Sequence, residues 1–337
     1  MEIPKGKLRV MKQQLLDSEA VIRSLRCALE NHMNPRVSLQ RIRGMLAHLP
    51  SETLHIRHYK GSINYYEYVD SKMKYLTKGS DRLYLLARKR YLTELLRTLE
   101  VAATKESDPE KWEKQFEKLA KLIRQYAKGN LDVARIVLTN KQYKWLTRQF
   151  HQKPKPARGN STPLTTDSGE TVLSKSEQNI GNALWHYAVP NHYEEQLQIN
   201  IMSLVSELES ELADAMPQNG NLFYFRAGTC YWNVPEQLQF MNAPGSVWHT
   251  FNFRTGCITI HPDFTIMLVD GSLLYFEHEG LLIQFRYRAN ATERIAIMRI
   301  CGGVDTDHLI QTTEDESNDR QRLEAIIQRQ IIPRIWF

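Results

Sequence analysis

The chain is poor in cysteine and has no long apolar run. Its four cysteines, Cys27, Cys230, Cys257 and Cys301, lie far apart and form no C-x-x-C pair. That excludes the usual zinc spacings and a disulfide framework, and it favours free thiols in a reducing compartment. No stretch approaches the roughly eighteen apolar residues of a membrane-crossing helix. The opening residues, MEIPKGKLRV, lack the apolar core of a secretory signal, so a cytoplasmic protein without membrane attachment is expected. Acidic residues are scarce in the first half. Residues 1–160 hold 16 Asp and Glu against 33 Lys and Arg, a net +17, whereas residues 161–337 hold 22 against 11, a net −11. A basic half beside an acidic one points to a polyanion-facing module joined to a module whose carboxylates serve another purpose, unless the halves simply attract each other.

The 337 residues suffice for two domains. Helical periodicity over 7–30 (Leu8, Met11, Leu15, Ser18, Ile22, Leu25, Leu29) describes either a short coiled-coil seam, and hence a homodimer, or a helix lying on its own domain. The stretch 52–70 reads as a basic, aromatic hairpin turning at Lys60-Gly61-Ser62. Two helices come next. One runs over 81–100; the other opens with a Ser107/Glu110 capping box and Pro109, buries a stripe of Trp112, Phe116, Leu119, Ile123 and Tyr126, and stops at Gly129. Arg57, Lys60, Tyr65, Arg88, Lys89 and Arg90 are the candidate nucleic-acid contacts of this basic half, with cations for phosphates and rings for bases. Strand tyrosines also serve simply as packing residues.

The pattern breaks at HQKPKPARGNSTPLTTDSGE, a domain boundary or a strap across the second domain. The organisation expected is a basic helical and hairpin domain over 1–150, a linker over 151–172 and a second domain over 173–337, elaborated at about 200–256. In that elaboration Tyr224, Trp232, Trp248 and Phe251 form either a platform for bases or, as the better reading, the core of an inserted sheet.

Three carboxylates stand out in the second domain. Ser174 and Glu177 make a capping box, yet Glu177 also shares the apolar face of Ile180 and Leu184. Further on, HPDFTIMLVDGSLLYFEHEG carries Asp263 and Glu277 on two apolar runs around Asp270-Gly271. A two-residue turn would pair Phe264 with Glu277. A three-residue loop, Val269-Asp270-Gly271, with glycine in the left-handed region, pairs Asp263 with Glu277 and is preferred. Carboxylates converging there raise one another's pKa unless a cation neutralises them. Oxygen-only ligation suits Mg2+, or Mn2+.

Four ordered motifs, LSKSE (173–177), HYEEQL (192–197), HPDFTI (261–266) and YFEHEG (275–280), resemble the PD-(D/E)XK, or restriction-endonuclease-like, superfamily. The likeness is closest to an uncharacterised bacterial group with SKSE, PDFT and WEHxG motifs. HLIQTTED (308–315) looks like that group's final strand. The resemblance implies an α/β (α+β) fold with a mixed central sheet flanked by helices. It also implies Mg2+-dependent hydrolysis of phosphodiesters, with DNA favoured over RNA and RNA left open. Asp263 and Glu277 would be metal ligands, Glu177 a supporting helix acid and Glu194 a further acid near the site. One position departs from the superfamily. Where a lysine customarily stands two residues after the second acid, this chain has Glu279, which can add a ligand but supplies no cation. Lys175 or Arg294 would then bring the positive charge. The departure keeps open a second reading, a catalytically inactive nuclease-like domain in a nucleic-acid-binding or scaffolding protein.

Overall fold

The computed structural model describes residues 15–31, 35–104, 108–153, 163–211, 223–226, 229–232, 246–252, 254–280 and 285–337. The basic half contains α1 (Ser18–Glu30), α2 (Pro35–Ala47), β1 (His55–Tyr59), β2 (Ser62–Val69), β3 (Lys72–Leu76), α3 (Asp81–Ala102), α4 (Pro109–Lys128), α5 (Val133–Val137) and α6 (Asn140–Thr147). A short hairpin, β4 (Leu164–Thr165) and β5 (Thr171–Val172), leads to α7 (Lys175–His186), β6 (Asn191–Tyr193), β7 (Leu197–Asn200) and α8 (Met202–Glu211). Then come β8 (Phe223–Arg226), β9 (Thr229–Trp232), β10 (Cys257–Ile260), β11 (Phe264–Met267), β12 (Leu273–Glu279) and α9 (Phe285–Ile300). The chain closes with β13 (Leu309–Thr313), α10 (Glu314–Asn318), α11 (Arg320–Ile326) and α12 (Ile332–Trp336). The protein is therefore mixed α/β. Its central sheet runs β13-β12-β11-β6, with β12 and β13 parallel and the other pairs antiparallel.

Helices cover both faces of that sheet. Phe264, Ile266, Leu274 and Phe276 share one face with Ile180 and Leu184 of α7, and the lack of a side chain at Gly181 makes room for the Thr166 methyl, which would stand 2.9 Å from a Cβ there. Tyr275 and Leu309 look the other way, into a second core with Ile295, Ile297 and Met298 of α9. That core also takes Ile199, Ile258, Trp248 and Phe251, so these two aromatics are packing residues. Tyr224 and Trp232 fall on β8 and β9, whose side chains lie outside the described residues. The first core extends without a break into α1, α3 and α4. Buried polar contacts join the halves as well: Trp336 Nε1 donates to Ser24 Oγ, and the Gln142 amide donates to the carbonyls of Met267 and Ile335.

Several local expectations need correction. The first described helix starts at Ser18 behind an Asp17 cap, and residues 7–14 of the expected 7–30 helix lie outside the described residues. Ile22, Leu25 and Leu29 pack into the chain's own core rather than into an outward seam. The cap of α4 is Asp108, whose short carboxylate accepts from Glu110 N; Ser107 lies outside the described residues. The aromatic hairpin has a third strand, β3, turning at Asp70-Ser71, both with positive φ. Residues 151–153 run beside the turn after β6: Gln152 bridges to Glu195, and His151 O accepts from Gln196 N. The segment 154–162 lies outside the described residues. Cys27, Cys257 and Cys301 are free thiols. No helix among the described residues is long and apolar enough to cross a membrane.

Candidate functional site

The register of β11 on β12 sets the site. Phe264 faces Phe276 and Met267 faces Leu273, which leaves Val269-Asp270-Gly271 as a three-residue loop. Gly271 has φ +91°, a conformation that side-chain-bearing residues rarely adopt. One step beyond the paired residues, Asp263 stands opposite Glu277, and Asp263 Oδ2 accepts the His278 amide at 2.6 Å. On the other side β6 pairs with β11, and Glu194 N donates to Asp263 O at 3.0 Å. Glu277 in turn faces Gln311 of β13. Glu194, Asp263 and Glu277 thus form one row across three neighbouring strands.

Burial makes this row electrostatically costly. Glu277 is 0% exposed and Glu194 is 5% exposed. Burial pushes the Glu277 carboxyl up to about 8; Arg294 opposes the rise, while Asp263 and Glu279 add to it. Asp263 is likewise raised, first by burial, with Arg294 and the His278 amide opposing and Glu177 adding to the rise. Oε1 of Glu277 is buried and has no hydrogen-bond partner among the described residues. Such an oxygen costs about 1–3 kcal/mol and calls for a proton or a cation. Glu194 carries its own strain at φ 48°, and its carbonyl accepts from His261 Nδ1. Positive φ in a residue other than glycine costs about 1–3 kcal/mol and tends to gather at functional sites.

Among the described residues, two cations reach the row. Arg294 of α9 donates to Glu277 Oε2 at 2.6 Å. It brings to Glu277 the positive charge that Glu279 does not; Glu279 points along the same face as Glu277 and accepts from Gln311 Nε2. The second cation, Lys153, was not legible in the sequence. Its Nζ lies 3.9 Å from Glu194 Oε1, and its charge lowers the Glu277 pKa. Only the placement of residues 151–153 brings it in. Lys175 does not reach the site: it is exposed and donates to Gln178 Oε1, because it sits on the outer side of the first turn of α7.

Glu177 serves first as a cap. Its Oε2 accepts from Leu173 N at 2.8 Å, Ser174 N at 3.2 Å and the Tyr193 hydroxyl at 2.7 Å. It bears on Asp263 through charge, and together with burial it raises the Tyr193 pKa. His278 faces away from Glu277, and its Nε2 meets Glu314 Oε2 at 3.0 Å.

The basic half is less uniform than its composition suggests. Arg57 and Lys60 are exposed. Tyr65 is 0% exposed and lies beneath α4, so no base can stack on it. Arg88 is buried and donates to Leu138 O. Lys89 donates to the carbonyls of Ser51 and Glu52, and Arg90 to that of Leu54, which ties both to the loop before β1.

Among the described residues, no three His, Cys, Asp or Glu side chains form a ready metal cage. Mg2+ is commonly held by one or two carboxylates, keeps several waters and takes substrate phosphates as further ligands. Asp263 with Glu277, one of whose oxygens is unpartnered, fits that sparse pattern better than it fits a zinc or calcium site. No family model, no curated protein and no solved structure matches this chain.

Proposed function

We propose that this protein is a Mg2+-dependent nuclease of the restriction-endonuclease-like kind, hydrolysing phosphodiesters in nucleic acid, DNA before RNA. The observation that carries the reading is the buried Glu277 carboxylate whose Oε1 has no partner among the described residues, opposite Asp263 at the end of a mixed sheet covered by helices on both faces. Asp263 and Glu277 would hold the ion, which would lower the pKa of a bound water and offset charge on the phosphoryl oxygens. Arg294 holds Glu277 in place and provides fixed positive charge beside the reacting phosphate. Arginine stays protonated, so it stabilises charge and does not serve as the base. Lys153 lends a second positive charge at the rim. Tyr193 and the first turn of α7 fix Glu177, whose charge keeps the neighbourhood of Asp263 attractive to a cation. The exposed lysines of α4 (Lys111, Lys114, Lys118, Lys121, Lys128) are suited to a polyanion.

A second reading, binding without turnover, is favoured by one observation. The Arg294 guanidinium already neutralises Glu277 from within the fold and so does part of an ion's work. A single comparison separates the two. Wild type, Asp263→Asn and Glu277→Gln are incubated with single- and double-stranded DNA and RNA in Mg2+, Mn2+ or chelator. The nuclease reading expects metal-dependent cleavage that both variants lose while keeping their affinity for nucleic acid. Cleavage undiminished in both variants rejects this site, and no cleavage by wild type with any metal leaves the binding reading.

A further inference from the structure

The face of the β1-β2-β3 sheet turned away from the core is aromatic and basic. On β2, Ile63, Tyr65 and Glu67 are buried, so Asn64, Tyr66 and Tyr68 point outward. Register places His55 of β1 and Tyr75 of β3 on either side of Tyr66, Met73 beside Tyr68, Arg57 beside Asn64, and Tyr59 beside Ser62 at the turn. Tyr59 is 62% exposed, Tyr75 51%, Tyr68 43% and Met73 40%. The rings support one another edge to face, Tyr66 on Tyr75 at 5.6 Å and His55 on Tyr68 at 4.8 Å, and Arg57 lies 5.8 Å from the Tyr66 ring centre. This is far more ring surface than packing requires, since the packing residue of the strand is Tyr65 on the opposite face.

Charge names the occupant. Residues 55–78 carry five basic side chains, Arg57, Lys60, Lys72, Lys74 and Lys78, and two acids, Glu67 and Asp70. Glu67 is turned inward and paired with Arg82 at 2.8 Å. None of the five cations has an ion-pair partner among the described residues. Arg57 shares the face of the rings and Lys60 stands at the turn beside Tyr59, while Lys72 and Lys74 of β3 alternate to the other face and add their charge at the sheet edge. Outward rings beside cations that have no ion pair match a ligand with flat π-faces strung on a polyanion. A duplex offers free base faces only at its ends; an unpaired strand offers one at every nucleotide.

We propose that this sheet face binds single-stranded nucleic acid, with Tyr66, Tyr68 and Tyr75 stacking on unpaired bases and Arg57, with Lys60 at the turn, contacting phosphates. The proposal rests on the reading of the basic half as the nucleic-acid side of the protein and is independent of the metal chemistry. It assigns the unpaired strand as the substrate feature that this half recognises.

The test is fluorescence anisotropy with the full chain in chelator, using labelled dT and U oligonucleotides of about 12 nucleotides and a duplex of equal length. Tyr68 and Tyr75 are exposed, so their substitution leaves the core untouched. The Tyr68→Ala/Tyr75→Ala protein should bind either single strand about 10- to 100-fold more weakly. The Tyr68→Phe/Tyr75→Phe protein should match wild type, and Arg57→Ala should reduce the salt slope by about 0.7. Alanine variants that bind like wild type, or a duplex preferred over both single strands, would overturn the proposal. So would sedimentation showing a wild-type dimer that the alanine pair dissolves, because the face would then be a subunit interface. Intact binding without cleavage strikes the metal-site reading alone, and cleavage without ring-dependent binding strikes this one alone.

Discussion

The Arg294 guanidinium holds Oε2 of Glu277 at 2.6 Å, while Oε1 of the same buried carboxylate has no hydrogen-bond partner among the described residues. One oxygen is neutralised from α9 and the other is left for whatever comes from the strand end, where Asp263 stands. Both the guanidinium and the proton on this carboxylate can be removed separately, each with a measurable consequence.

Arg294→Ala leaves the Glu277 carboxyl buried without its donor. Stability should fall by roughly 1–3 kcal/mol in urea unfolding, and cleavage should drop about 100-fold. Lys175→Ala should change neither, because that amine is exposed and engaged with Gln178. A Lys175→Ala protein as impaired as Arg294→Ala would show that the wrong cation has been placed at the site.

The pH dependence of stability has a definite sign. Burial raises the Glu277 pKa from its ordinary 4.5 to about 8. Between those values the folded protein holds a proton that the unfolded chain releases, so this group's contribution to stability is full at the acid end and declines as pH rises. Asp263, also raised, acts in the same direction. Without metal, the urea midpoint should fall between about pH 5 and about pH 8.5, and the fall should shrink in Glu277→Gln. Mg2+ affinity should strengthen over the same interval, because the ligand must lose its proton first.

A Cβ at Gly129 would stand 1.8 Å from the Tyr65 hydroxyl oxygen, which is buried and unpartnered. Gly129→Ala should destabilise by about 1–3 kcal/mol through overpacking. Tyr65→Phe should be close to neutral by itself and should recover part of the Gly129→Ala loss in the double variant. Additive single effects in denaturant titration would disprove the contact.

Tyr193→Phe removes the hydroxyl that donates to Glu177 Oε2 at 2.7 Å. A bond to a charged acceptor at this burial is worth about 1.5 kcal/mol. Thermal or urea unfolding should register a loss of that size with the capping box, and hence the helix content, intact.

Much of the site could be read locally. The Ser174/Glu177 capping box, the three-residue loop at Val269-Asp270-Gly271 and the resulting facing of Asp263 and Glu277 all depend on residues within a few positions or one hairpin of each other. Glu194 was legible as an acid near a strand but not as the third member of a row. Its position depends on β6 joining β11 although β7 to β10 lie between them in the chain, and on a positive φ that no local pattern announces. Lys153 sits in a proline-rich stretch without periodicity and reaches the acids only because residues 151–153 run beside Glu195.

Near-neighbour chemistry along the chain was enough to specify the capping box of α7, the buried stripe of α4, the hairpin register and the charge division, because capping, turn geometry and alternation all act over a few residues. Which tyrosines of β2 face water, and which arginine meets Glu277, depended instead on how distant elements pack. A strand's two faces look alike until a helix covers one of them: α4, stopped at Gly129, closes over Tyr65 and leaves Tyr66 and Tyr68 outside.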